Sequence, residues 1–136
     1  MKTKRIFIIS LLTVFLSACG AFPSASDPLD GTSWELVAIA EQPPLEGTTV
    51  TLSFEDGLAS GTSGCNSYGG PYRANGDEID FQEFEATLMA CLDTGVMEQE
   101  TVYLRTLGEA ERFELTNGQL QIYGSDGEAL TYIPVE

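Results

Sequence analysis

The residues best suited to chemistry gather around one thiol. The stretch GTSGCNSYGG, Gly61 to Gly70, sets Cys65 and Asn66 among four glycines. A cysteine in such a setting fits a nucleophile, a metal ligand or half of a disulfide. A nucleophile needs a neighbouring base, and the chain has no histidine, so Ser-His and Cys-His catalysis are unavailable. Carboxylate pairs such as Asp77 with Asp80, or Glu83 with Glu85, would serve acid-base chemistry if a cleft raised one pKa. With 21 acidic residues in 136, pairs of this kind arise by chance. The run NGDEID (Asn75 to Asp80) lacks the spacing of a calcium loop. The chain is expected to be no enzyme and to need no cofactor.

The elements that place the thiol depend on where the chain goes. Lys2, Lys4 and Arg5 precede an apolar run, Ile6 to Leu16, broken only by Ser10 and Thr13. A bilayer-spanning helix needs about 20 residues, so this run reads as the core of an export signal. The following Leu16-Ser17-Ala18-Cys19 resembles the lipobox of bacterial lipoproteins. That resemblance implies a signal peptide over residues 1–18, lipid on the Cys19 thiol and acylation of the new N-terminus. Several acyl chains anchor stably where one holds only marginally. The alternative is a soluble secreted protein cleaved near Ala18. Residues 19–30 then read as lipidated cysteine and tether, with Gly20 to Asp30 reaching at most about 35 Å. Gly20 in place of Asp after the lipidated position implies, in a Gram-negative cell, the outer membrane facing the periplasm. The folded part is expected over residues 31–136.

Processing removes three of the six basic residues and leaves Arg73, Arg105 and Arg112 against 21 acidic ones, a formal charge of −18. Such a surface repels nucleic-acid phosphates, which excludes nucleic acid as a partner, and it would attract a basic envelope protein. Solubility alone is the plainer reading of the charge. Cys65 and Cys91 remain as an even pair in an oxidising compartment. Two thiols with carboxylates match the usual zinc sets poorly, so a disulfide is the economical reading, against buried free thiols.

Short alternating runs separated by turns give antiparallel β patterning. Ser33 to Ile39 is a first strand. Val50, Leu52 and Phe54 alternate into a turn at Glu55-Asp56-Gly57, and a three-residue loop would set Leu58, Ser60 and Thr62 on their face. An Asn75-Gly76 turn would place Tyr72 opposite Ile79. Asn117-Gly118 suits a type I′ turn pairing Leu115 with Leu120 and Phe113 with Ile122. The loop Ser125-Asp126-Gly127 then aligns Ile122 with Leu130 and Leu120 with Tyr132. One segment has helical spacing, with Val96, Tyr103, Leu104 and Leu107 as its stripe, Asp93 or Thr94 as cap and Gly108 past its last turn. The fold class is mainly β with one helix (α+β): a small antiparallel curved sheet or incomplete barrel, covered by the helix.

The order GTSWEL, SGCNSYGGPY, ATLMAC, MEQETVYLRTL and two final hairpins resembles the META domain family, which includes the heat-shock lipoprotein HslJ. The resemblance covers about residues 31–134. Many relatives have Pro after the second cysteine, where this chain has Leu92. The resemblance implies a β-rich envelope domain tied to stress responses, without a settled catalytic activity or cofactor.

Gly61 and Gly64 read as room at a crowded strand end, and Gly69-Gly70-Pro71 as a chain reversal, together presenting Cys65 to Cys91. Glu100 falls inside the helical stripe, four residues after Val96 and three before Tyr103. A carboxylate there needs donors, and the Gly61–Gly70 turn could supply them. Glu100 and Asn66 therefore read as a structural clamp. The leading functional reading is a non-enzymatic lipoprotein acting through protein contacts. The alternative is a carrier of a small apolar ligand or lipid, with Trp34, Tyr68 and Tyr72 lining a pocket, against the commoner fate of aromatics as core filling.

Overall fold

The computed structural model describes residues 27–135. The signal and lipidation readings, Cys19 included, fall outside these residues. The tether reading of residues 19–30 does not extend to its last four. Leu29 is fully buried, and Asp27 Oδ2 accepts a hydrogen bond from the Tyr72 hydroxyl at 2.5 Å.

The described residues form β1 (Thr32–Ile39), β2 (Thr51–Glu55), β3 (Leu58–Thr62), β4 (Ser67–Asn75), β5 (Glu78–Phe81), the short β6 (Glu85–Ala86), α1 (Val96–Gly108), β7 (Ala110–Thr116), β8 (Gln119–Gly124) and β9 (Ala129–Pro134). Neighbours run β3-β2-β1-β9-β8-β7-β5-β4, and β3 also pairs with β4 from Leu58↔Pro71 to Thr62↔Ser67. The sheet is thus a closed eight-stranded antiparallel barrel, not an open or incomplete one. Closure satisfies the edges that an open sheet would expose. The seam between β5 and β7 is thin: Glu78↔Arg112 is its ladder pair, helped by Phe113 N–H on the Asp77 carbonyl at 2.8 Å. β6 lies outside the ring, pairing Ala86 with Tyr68.

An eight-stranded barrel has room inside to be filled by side chains or to hold one small ligand, and here side chains take the space. Leu52, Ala59, Leu120, Ile122 and Leu130 fill it with no exposure, and each large one is worth about 1.5–3 kcal/mol of burial. The helix adds Tyr103 and Leu107 to this core. Tyr132 on β9 donates to the Tyr103 hydroxyl at 3.2 Å, Tyr103 lies 2.6 Å from the Tyr68 hydroxyl on β4, and Tyr68 donates to the Thr51 carbonyl at 2.8 Å. Each hydroxyl has one proton, so the bonds run in one direction, from Tyr132 to the carbonyl. β4 and β9 stand four strands apart either way round the ring, so Tyr103 links opposite walls.

The hairpins from β7 to β9 have the expected pairs, Leu115↔Leu120, Phe113↔Ile122, Ile122↔Leu130 and Leu120↔Tyr132. The β2–β3 hairpin differs. Asp56 and Gly57 both have positive φ, making a two-residue turn that pairs Glu55 with Leu58 and Phe54 with Ala59. One residue of slip exchanges faces, so Ala59 points inward and Leu58 outward, 56% exposed. In β4–β5 the turn is Gly76-Asp77, pairing Tyr72 with Phe81 and Ala74 with Ile79. That slip of two keeps the faces. Gly69, Gly70 and Pro71 reverse nothing; they lie within β4. Gly70 is there because a Cβ would meet the Glu83 carbonyl at 2.7 Å. The helix starts after Gly95, at φ 86, with no side-chain cap from Asp93 or Thr94, and Gly108 is its last residue.

Candidate functional site

Crowding explains part of the glycine-rich stretch. A Cβ on Gly61 would stand 1.9 Å from the Thr51 carbonyl oxygen and 3.1 Å from the Tyr68 hydroxyl. The tyrosine chain therefore ends in space that only glycine leaves open. Gly64 has φ 103, which turns the chain from β3 into Cys65 and Asn66.

Beyond that turn lies a buried polar cluster built on Glu100. Its side chain is 6% exposed, on the helix face that carries Val96, Tyr103 and Leu107. Glu100 Oε2 accepts the Ser63 hydroxyl at 2.5 Å and the Asn66 backbone N–H at 2.8 Å. Oε1 accepts the Asn66 side-chain amide at 2.7 Å. Burial pushes the carboxyl pKa up, but the bonds from Ser63, Asn66 and the Cys65 backbone outweigh it and hold the pKa below the ordinary glutamate value. The carboxylate is stabilised by donors, without a cation. Among the described residues, the ion pairs belong to Arg105 (with Glu109, Asp126 and Glu128) and Arg112 (with Glu114).

Asn66 passes the constraint outward. Its Oδ1 accepts the Met89 N–H at 2.7 Å and the Thr87 hydroxyl at 2.8 Å, while its Nδ2 also donates to the Met89 carbonyl at 3.2 Å. Thr87 N–H donates to the Ser67 carbonyl at 3.0 Å. The Cys65–Cys91 disulfide, with Cα atoms 5.9 Å apart, ties the same two segments again. Next along the helix, Gln99 holds a third segment: its Oε1 accepts Leu45 N–H at 2.6 Å and its Nε2 donates to the Thr48 hydroxyl at 3.0 Å. One helical turn thus fixes the β1–β2 loop, the β3–β4 turn and, through Asn66, the Thr87–Leu92 segment.

The segment so held carries little core. Leu88 and Leu92 are each 97% exposed and Met89 is 57% exposed. Sequence reasoning placed Glu100 and Asn66 but missed Gln99, Thr87 and the role of the Met89 backbone. Leu92 stood out only as the departure from proline.

The other candidates are separate from this cluster. Trp34, Tyr68 and Tyr72 are buried among neighbours: the Tyr72 ring packs edge-on against Phe54 at 4.7 Å, and Tyr68 against Phe84 at 5.4 Å. They fill the core and do not line an open pocket. An open depression of about 550 Å³ lies outside, between Glu55, Leu58, Gly70 and Glu85. Asp77, Asp80, Glu83 and Glu85 are all exposed. Among the described residues, no three Cys, Asp or Glu side chains converge as a metal site.

Several solved structures share this architecture. An NMR structure of a protein from Burkholderia xenovorans is 29% identical, with a TM-score of 0.64 over 79% of this chain and 83% of that one. A second NMR structure is 23% identical, with a TM-score of 0.64 over 77% of this chain and 90% of that one. The crystal structure of a DUF4847 family protein from Bacteroides vulgatus ATCC 8482 is 11% identical, with a TM-score of 0.53 over 78% and 94%. At such identities the last two share the fold alone. No curated protein matches the chain. The family profile of the META domain matches residues 27–136, the barrel and its helix together, and the chain belongs to the META domain family.

Proposed function

We propose that the protein is a non-enzymatic lipoprotein of the cell envelope, anchored through Cys19, that works by protein contacts in stress response or envelope maintenance. The observation that carries this reading is how Glu100 is used. The buried carboxylate best placed for chemistry is saturated by donors from Ser63 and Asn66, and it fixes loops whose outer side chains face solvent. A group held charged by its neighbours orients structure; it does not exchange protons near neutral pH. The carrier reading has less support, because Trp34, Tyr68 and Tyr72 are packed in the core.

The −18 charge of the processed chain favours a basic partner. Cross-linking in the intact envelope with the anchor retained, then capture, tests the reading: a basic protein should co-purify and elute with salt. Stoichiometric lipid in place of protein would transfer the assignment to a carrier. Equal labelling of wild type and Cys19→Ser by a fatty-acid analogue would remove the anchor.

A further inference from the structure

We propose that Leu88 and Leu92 form a preorganised docking knob for an apolar stripe flanked by lysines and arginines on another protein. This deepens the contact-based reading above and rests on it.

Exposed apolar side chains scattered singly are ordinary on soluble proteins. Leu88, Met89 and Leu92 are not scattered: they fall within five positions, and the two leucines are 97% exposed. They contribute nothing to the barrel core. The backbone beneath them is nonetheless fixed more firmly than a surface loop requires. Asn66 holds both the N–H and the carbonyl of Met89, Thr87 is held to Ser67, and Cys91 is bonded to Cys65. Asn66 is in turn held by the buried Glu100. A loop ordered in advance loses less freedom on binding, so its apolar tips convert into affinity more fully.

Charge selects the kind of partner. Residues 81–100, which carry the knob, contain five acidic residues and no basic one. Glu83, Glu85, Asp93 and Glu98 are exposed. An apolar centre with a charged rim is the usual anatomy of a protein interface. An anionic bilayer surface would accept the leucines but repel this rim, whereas lysines and arginines would complement it. A protein with a basic-flanked apolar stripe matches both features.

The probe is a synthetic amphipathic helical peptide with a leucine stripe flanked by lysines, and the control is its analogue with glutamine for lysine. The full chain is used, with its own N-terminal segment, in phosphatidylcholine nanodiscs. The Leu/Lys peptide should bind, more weakly as salt rises, and more tightly than the Leu/Gln analogue. Leu88→Ser with Leu92→Ser should weaken binding by at least about tenfold. Their melting temperature should stay that of wild type, because both side chains are already in water. Ile133→Ser with Val135→Ser, an exposed apolar pair elsewhere, should leave affinity unchanged. Equal binding by wild type and the leucine variant would overturn the knob while leaving a contact-based function standing. No binding of the Leu/Lys peptide would overturn it too. Once the wild-type emission from the buried Trp34 is subtracted, Leu88→Trp should emit as a water-exposed indole in the nanodisc and shift blue only when peptide is added. A blue shift in the nanodisc alone would mean that the loop reads the bilayer, and would refute the protein partner.

Discussion

Glu100→Ala removes the acceptor on which the buried cluster depends, and the structure gives the size of the loss. The Ser63 hydroxyl has a second acceptor, the Asn66 carbonyl at 2.8 Å, and can turn to it. The Asn66 backbone N–H and one side-chain amide N–H have none and are left unpaired in a buried site. Two stranded donors at about 1–3 kcal/mol each give a loss of about 2–6 kcal/mol. Glu100→Gln is also expected to be destabilising, by about 1–3 kcal/mol. The two carboxylate oxygens face donors only, so a glutamine amide must present its NH₂ to one of them. Asn66 cannot turn its own oxygen to meet that NH₂, because Thr87 and Met89 hold Oδ1. Urea denaturation of both variants measures this. The same cluster sets a pH dependence. Because the folded-state pKa lies below the ordinary value, the stabilisation is fully present above the unfolded-state value and is lost as pH falls through the folded one. Glu100→Ala should therefore show a smaller loss of stability on acidification. An alanine variant within about 0.5 kcal/mol of wild type, or a glutamine variant as stable as wild type, would show that the cluster does not depend on the carboxylate.

Removing the Cys65–Cys91 bond, with a sequence separation of 26, should cost about 3–4 kcal/mol in the chain-entropy view. The double serine variant should cost no more than either single, and two free thiols by mass spectrometry in protein taken from its native cells would contradict the bond. Gly61→Ala forces a methyl to within 1.9 Å of the Thr51 carbonyl, and should lower the melting point far more than Gly108→Ala, whose Cβ meets nothing and whose backbone is helical. Circular dichroism melts compare the two. Tyr103→Phe strands the Tyr132 hydroxyl while Tyr68 keeps the Thr51 carbonyl, so a loss of about 1–3 kcal/mol is expected by urea denaturation. An unchanged stability would mean that water replaces the hydroxyl.

What was legible in the sequence was local. Asn117-Gly118 forces positive φ at both positions, so the β7–β8 register followed from two residues. Asp56-Gly57 has the same conformation, but counting Glu55 into the turn moved every later side chain of β3 to the wrong face. The closure of the barrel depends on β5 meeting β7 across an intervening helix, and no local alternation encodes that pairing. Glu100 was visible because a carboxylate interrupted an apolar stripe. Its partners were visible only as a turn with spare donors. Gln99 looked like any surface residue, and Leu88 and Leu92 gave no sign of their exposure, since apolar residues near a cysteine pattern read equally well as core.

Asn66, set by Glu100, holds the Thr87–Leu92 segment in place. Amide hydrogen exchange at Met89 tests it most directly, because that N–H bonds the Asn66 Oδ1 at 2.7 Å in an otherwise exposed segment. In wild type the Met89 amide should be protected while those of Leu88 and Ala90 exchange freely, and Asn66→Ala should abolish the protection with the barrel amides still slow. A Met89 amide that exchanges in wild type as fast as its neighbours would mean that Asn66 does not hold the segment.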